Sequence, residues 1–270
     1  MKRSARDRLI RAVLEANEAQ AAEVRESLDI ARGLRGEVAK LTEQTAALQR
    51  RVVEFETRQR RDLHAAADRA AVESSAEYVG AHFLHAKALP SPHETLRHAV
   101  EAAPTGGLAL EFGVASGRTV RIVAEMREEV VYGFDVFSGL PEAWRPGFPE
   151  GMFSVEELPE IDGVELVVGL FEDTLPGFLQ EHPGQVDLLH VDCDLYNATV
   201  TVLEAVGPRL RPGSIVVFDE YFNHQNWESG EFQAWAEHVE RTGLTYEYIA
   251  YSRANEQVAV RILTTPDEPS

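Results

Sequence analysis

Leu108-Ala109-Leu110-Glu111-Phe112-Gly113-Val114-Ala115-Ser116-Gly117-Arg118 is an apolar run that feeds a turn bracketed by two glycines. A helix-forming segment, Thr119 to Met126, follows directly. Strand, tight turn and helix together make the opening βα unit of a nucleotide-binding sheet. Gly113 permits a sharp bend beside a ligand, Gly117 a close approach, and the helix start offers N–H donors. The two glycines stand four positions apart, which departs from the G-x-G-x-x-G of dinucleotide folds and leaves a plain turn open at this point.

Downstream, the apolar runs recur and end in acids. Val130 to Phe134 runs into Asp135, which lies 22 positions after Gly113, the distance at which an acid on the second strand tip reads a ribose. Val164 to Gly169 reads as a third strand, followed by a helix opening on Phe171-Glu172-Asp173. There, Phe171 can stack on an adenine while Glu172 or Asp173 accepts from its amine, although acids in a first helical turn need no ligand. Val186 to Val191 is a fourth strand that enters the acidic turn Asp192-Cys193-Asp194. Ser214 to Phe218 is a fifth, ending in Asp219-Glu220. Two neighbouring parallel strands thus bring four carboxylates to the sheet edge where such folds bind ligands. Acids packed this closely call for a proton or a cation, and Mg²⁺ on oxygen ligands is the simplest answer.

Between these strands, Val136 to Ile161 is long, rich in glycine and proline, and carries Phe137, Trp144, Phe148 and Phe153. A loop of this length is functional or disordered, and the aromatic content favours a pocket wall or surface packing over disorder. After the fifth strand, Gly230 to Thr242 suits a helix, and Leu244 to Tyr251 with Val258 to Leu263 suits an antiparallel hairpin. The polar tail from Thr264 is expected to fray.

The N-terminal third differs in kind. From Asp7 to Val72 there is no proline, and Gly33 and Gly36 are its glycines, so one long helix or two pieces is expected. Ala31, Leu34, Val38, Leu41, Thr45, Leu48, Val52 and Phe55 alternate steps of three and four, the a/d seam of a coiled coil, and predict a homo-oligomer. An amphipathic helix packed on its own domain fits the same spacing. Upstream of Ser27 the seam degrades, with Asn17 and Gln20 on it. Residues 76–104 hold His82, His85, His93 and His98 and three prolines, and read as a linker and a helix leading into the sheet domain. No zinc-like spacing accompanies these histidines. The segment can also fold over the ligand as a lid. The organisation expected is therefore 1–75 helical coiled coil, 76–104 linker and lead-in helix, and 105–264 sheet domain.

Charge narrows the partners. Residues 1–75 carry 15 Lys and Arg against 13 Asp and Glu, whereas the rest carries 11 against 32, of the net −19. An acidic body repels phosphate backbones, which excludes nucleic acid and favours a neutral or cationic small molecule or a metal. No apolar run approaches the roughly 20 residues of a membrane span, and the charged N-terminus is unlike a signal peptide. Cys193 is the single cysteine, so no intrachain disulfide forms, and the cytoplasm is the expected compartment.

Taken together, Glu111-Phe112-Gly113 through Gly117, Phe134 to Pro141, His190 to Tyr196 and Phe218 to Tyr221 resemble the macrocin/mycinamicin/novobiocin group of class I S-adenosylmethionine (SAM)-dependent O-methyltransferases. The likeness covers roughly residues 100–265. It implies an α/β Rossmann-like, seven-stranded sheet with a reversed last strand and helices on both faces, preceded here by the long N-terminal helix. It implies SAM across the first three strand tips, with Glu111 and Gly113, Val114, Ala115, Ser116 and Gly117 at the methionine part. Asp135, with Val136 and Phe137 beside it, would take the ribose, and Phe171, Glu172 and Asp173 the adenine. It implies Mg²⁺ on Asp192, Asp219 and Glu220, with Asp192 or Asp194 as base, and a small hydroxyl acceptor such as a sugar. Glu220 stands where the group usually has Asp, and Cys193 where it usually has Gly. Two other readings compete: an NAD(P)-dependent dehydrogenase using the same cleft, and a scaffold whose coiled coil carries the function.

Overall fold

The computed structural model describes residues 2–265, with side chains from residue 6 onward. The tail at residues 266–270 lies outside the described residues. By its internal contacts the chain divides into Met1–Ala66 and Ala67–Ser270, a division that the helical expectation for 1–75 straddles.

The first unit is dominated by one helix, α1 (Lys2–Arg61). Residues without proline and with few glycines keep it continuous. It ends at Asp62, whose carboxylate accepts from the His64 and Ala65 N–H groups and so starts α2 (Leu63–His82). Along α1, Leu34, Val38, Leu41, Leu48, Val52 and Phe55 are each between 56% and 63% exposed. Because the helix does not break, the same three–four spacing runs back through Val24, Val13 and Ile10, which are also exposed.

The second unit is a sheet between helices. Its elements are β1 (Lys87–Leu89), α3 (Pro92–Ala102), β2 (Leu108–Phe112), α4 (Arg118–Met126), β3 (Val131–Asp135), β4 (Val164–Val168), α5 (Phe171–Glu181), β5 (Val186–Val191), α6 (Tyr196–Val206), β6 (Leu210–Phe218), α7 (Glu231–Thr242), β7 (Thr245–Ser252) and β8 (Val258–Thr264). The strand order is β1-β7-β8-β6-β5-β2-β3-β4. The reversed strand is β8, antiparallel to both β6 and β7, and the remaining pairs are parallel. The strand count is eight, not the seven expected. The extra strand is the three residues Lys87 to Leu89, which pair with β7 and are too short for periodicity to reveal.

Apolar runs explain the centre. Every residue of β5 is buried, as expected of a parallel strand covered on both faces. Side chains alternate across it: Leu189 and Val191 join a core with Phe112, Phe134, Phe218 and Trp235, while Leu188 joins Val120, Val123 and Ile215 on the other face. Helix α3 is started by Ser91, whose side chain accepts from the Glu94 N–H, as the lead-in helix requires. From Asp68 onward α2 docks on the same unit, with the Gln225 amide donating to Asp68 and Ala71 buried in the core. Trp227 Nε1 donates to Ser74, Asn223 N–H donates to Ser75, and the hydroxyls of Tyr78 and Tyr248 are 2.7 Å apart. No helix among the described residues is long and apolar enough to cross a membrane.

This order has one functional consequence. The chain leaves β2 towards β3 on one side and later returns to β5 on the other, so the loops after β2 and β5 diverge at a switch point. A crevice opens there by construction.

Candidate active site

The crevice is a cavity of about 640 Å³ at the carboxyl ends of β2 to β6. Its wall includes Gly113, Val114, Ala115, Ser116, Asp135, Val136, Phe171 and Glu172 on one side and Asp192, Asp194, Asp219 and Glu220 on the other. The structure therefore gathers twelve of the sixteen sequence-derived site residues around one space. Glu111, Gly117, Phe137 and Asp173 are not among its walls, each for its own reason.

Glu111 is fully buried. One carboxylate oxygen accepts from the Thr119 hydroxyl at 2.9 Å, and the other lies 2.7 Å from His190 Nδ1. Glu111 and His190 are direct partners in the register of β2 and β5, so their side chains share a face. Gly117 adopts φ 76°, and a Cβ there would stand 2.4 Å from Ile161, so its missing side chain makes room for the protein's own long loop. Phe137 is buried in the core at φ 58°, held by the Asp135 carboxylate, which accepts from its N–H at 2.6 Å. Asp173 sits one residue past the part of the α5 first turn that faces the cavity.

Asp135 does more than face a ribose. Its Oδ2 accepts from the N–H groups of Val114 and Ala115, both at 2.8 Å, and its Oδ1 from Phe137. With three of roughly four acceptor positions occupied by the chain itself, one is left for a ligand hydroxyl instead of two. Asp135 thereby folds the turn that it was expected only to border. Gly113 is dictated by packing too: at φ 94° its missing Cβ would lie 1.6 Å from the Asp192 carbonyl oxygen. The glycine turn and the acidic turn touch through that gap.

Strain falls on both sides of the cavity, whereas charge concentrates on the acid side. Ala115 and Phe137 on the first side and Asp194 on the second all have φ between 44° and 63°, a region unfavourable to residues with a Cβ. Burial, reinforced by the charge of Asp219, pushes Asp192 and Glu220 well above the usual carboxylate range, and Asp194 up to about 7. Asp219 goes the other way: its burial is outweighed by His190 and by Gln257, whose amide donates to it at 3.0 Å, so its pKa is lowered. At His190 burial opposes charge, yet Glu111 and Asp219 together raise its pKa well above the ordinary histidine value. Glu231, wholly buried at the start of α7, accepts the Glu220 N–H at 3.0 Å and is raised by burial.

Residues that can hold a cation follow from this packing. One atom each of His190, Asp192 and Asp219 lie within 4.8 Å of one another. Two carboxylates beside a buried, unpartnered His190 Nε2 suit a divalent ion in donor chemistry. Glu220 lines the cavity but stands outside this set.

The aromatic loop closes the acceptor side. Trp144, Phe148 and Phe153 line the cavity, with Arg145 stacked 3.9 Å over Trp144 and 4.9 Å over Phe148. Arg145 also pairs with Glu256 at 3.1 Å, tying the loop to the β7–β8 turn. Pro92 and His93 at the start of α3 complete the rim, so the segment before the domain does reach the ligand space. Sequence reasoning had assigned no role to His190, Thr119, Arg145, Glu231 or Gln257. The signal for His190 was a polar residue inside the otherwise apolar Leu188 to Val191 run.

Residues 110–221 match the family model described as a methyltransferase domain. This part of the chain is a methyltransferase domain. Around that domain the similarity is partial. A tetracenomycin-type rhamnosyl 4'-O-methyltransferase of Streptomyces olivaceus is 42% identical over 60 residues, 22% of this chain and 22% of that protein. Mycinamicin III 3''-O-methyltransferase of Micromonospora griseorubida is 27% identical over 157 residues, 47% of this chain and 61% of that one. The chain thus spans less than two thirds of either relative. Among solved structures, the calicheamicin methyltransferase CalS11 superposes with TM-score 0.51 at 27% identity, over 63% of this chain and 76% of its own. The O-methyltransferase NovP shares the fold, with TM-score 0.50 at 24% identity over 64% and 79%. The matched residues carry most of β2 and all of β3 to β6, with the glycine turn and the acids, while α1, β1, β7 and β8 lie outside them.

Proposed function

We propose that the protein transfers the methyl group of SAM to a hydroxyl of a small glycosylated molecule, with a divalent cation assisting. The observation that carries this is one cavity in which the glycine turn and Asp135 face Asp192, Asp194, Asp219 and Glu220. One named relative acts on a rhamnosyl group of a tetracenomycin and another on mycinamicin III, and a rim of Trp144, Phe148 and Phe153 suits the apolar faces of sugar rings.

The chain's own residues divide the work. The turn Gly113 to Ser116, Asp135 and Phe171 hold the methyl donor and fix the direction of its methyl group. The acceptor oxygen attacks in line as the carbon–sulfur bond breaks, so positioning supplies most of the rate. Asp194 takes the hydroxyl proton: a carboxylate raised to about 7 by burial, then by Asp219, is matched to that task near neutral pH. A cation held by Asp192 and Asp219 would lower the pKa of the hydroxyl and relieve the repulsion among these acids. The stack of Arg145 on Trp144 and Phe148 keeps water from the acceptor side.

Titration calorimetry with SAM and with NAD, followed by mass spectrometry of a panel of deoxysugar glycosides, tests the reading. SAM is expected to bind and one glycoside to gain a methyl group. Binding of NAD without SAM would establish the dehydrogenase alternative instead.

A second copy of the chain is the partner we propose for α1. Its apolar seam is exposed along the helix, and the heptad spacing runs from Ile10 to Phe55 with Asn17 at an a position, which favours two strands in register. Light scattering of the full chain and of a form lacking residues 1–62 measures this: the full chain is expected to be a dimer and the shortened form a monomer. An unchanged mass ratio per chain would refute the seam as the interface.

A further inference from the structure

At the acid edge one ligand-capable nitrogen is buried and unpartnered. His190 is 1% exposed, and its Nε2 makes no hydrogen bond. Nε2 stands 3.8 Å from Asp219 Oδ1, too far for a hydrogen bond. Its orientation is not free to drift, because Nδ1 is held 2.7 Å from Glu111, and Glu111 is itself pinned by the Thr119 hydroxyl. A histidine that donates Nδ1–H to a carboxylate holds its Nε2 in a fixed direction, the arrangement that orients a metal-binding imidazole, and a cation taking that nitrogen displaces the proton that Glu111 and Asp219 otherwise favour there. Nε2 and one oxygen each of Asp192 and Asp219 converge within 4.8 Å.

We infer that the cation site is a mixed nitrogen–oxygen site made by His190, Asp192 and Asp219, with Glu111 as its anchor, and that it selects a first-row transition ion such as Mn²⁺ over Mg²⁺. This rests on the metal-assisted reading above and sharpens which ion and which ligands it uses. The selectivity follows from donor type. Mg²⁺ is hard, keeps its waters and takes carboxylate oxygens, so an imidazole adds little to it. Imidazole suits the later divalent ions, and a single nitrogen donor is enough to shift the preference. The geometry also accounts for Glu220, which lies outside the set: the nitrogen supplies the third donor. On this reading Glu111, which contacts His190 and Thr119, acts as a positioning residue for His190.

The test uses the full chain and Mn²⁺ alone as probe. Electron paramagnetic resonance follows Mn²⁺ binding, Mg²⁺ competition gives the selectivity, and electron spin-echo modulation reports whether an imidazole nitrogen is coordinated. The wild-type protein is expected to bind Mn²⁺ about tenfold or more tightly than Mg²⁺ and to show the imidazole modulation. His190→Gln is expected to lose the modulation and the preference for Mn²⁺, with Mg²⁺ affinity unchanged. Glu111→Gln is expected to keep the modulation but to weaken Mn²⁺ by about 10- to 100-fold. Wild-type protein that binds Mn²⁺ without imidazole modulation overturns the inference and returns the ion to carboxylates alone. Wild-type protein that binds neither ion overturns it together with the metal-assisted step, while SAM binding and methyl transfer, measured separately, keep or lose the methyltransferase reading on their own terms. The wild-type spectrum decides the matter even if a variant does not fold.

Discussion

Replacing Asp192 with Asn is expected to lower methyl-transfer turnover by about 10²- to 10⁴-fold while leaving SAM affinity unchanged. The side chain is half-buried just past the end of β5, lines the cavity with Asp219, and belongs to the His190–Asp192–Asp219 constellation. Asn keeps its volume but removes a charge that the cation needs. The donor pocket is spared because the turn at Gly113 and the Asp135 bonds are made by other atoms. Single-turnover rates with saturating SAM, beside calorimetric SAM affinity, separate the two effects. Full turnover in the variant would remove Asp192 from the chemistry. The same site sets the direction of the pH profile. Asp194 has a pKa raised to about 7 and works as a base only when ionised, so the rate is expected to fall as pH drops below 7 and to level above it. A rate that rises towards acid pH would assign the proton transfer elsewhere.

The second large effect lies at Gly113. Gly113→Ala is expected to destabilise the protein by more than about 4 kcal/mol, enough to abolish folded protein near physiological temperature. Two terms act there: φ 94° disfavours any Cβ, and that Cβ would meet the Asp192 carbonyl at 1.6 Å, a backbone atom with nowhere to go. Gly106→Ala isolates the first term. Gly106 has φ 93° with no atom within 4 Å of the added Cβ, so its cost is expected to stay at about 1–2 kcal/mol. Urea unfolding of both variants measures the difference. Equal midpoints would mean that the approach of the glycine turn to β5 is looser than the structure has it.

How much of this could be read beforehand varies with the distance over which each feature is decided. The strand–turn–helix at 108–126 and the acids ending the runs at Asp135, Asp194 and Glu220 are short-range patterns, and they lie where the spacing places them, whereas the linker and helix expected over 76–104 resolve into the end of α2, β1 and α3. Roles were less legible than positions. Asp135 was assigned to a ribose from its place on a strand tip, yet most of its acceptor capacity closes the turn after β2, through bonds to residues about 20 positions upstream. Gly117 was assigned to a ligand, and it serves the packing of Ile161 in the long loop. In both cases the residue type was constrained for the expected steric or polar reason, but the partner came from the chain.

By itself, the sequence determined the class of the domain: apolar runs of strand length, each ending in a turn and an acid, can form little other than a parallel sheet with a polar edge. The long helix was determined in the same way, since nothing between Lys2 and Arg61 breaks it and its seam has a fixed period. Only the tertiary structure decided which charges meet. Glu111 and His190 are 79 positions apart and become neighbours because β2 lies beside β5, in a register that shifts between Leu108 and Ala109. Had the pairing slipped by one residue, each side chain would point to the opposite face of the sheet. Register depends on the packing of both faces at once, which no local pattern encodes. The acids that the sequence placed along one edge thus acquire their histidine, and with it the proposed nitrogen ligand, from the alignment of two strands.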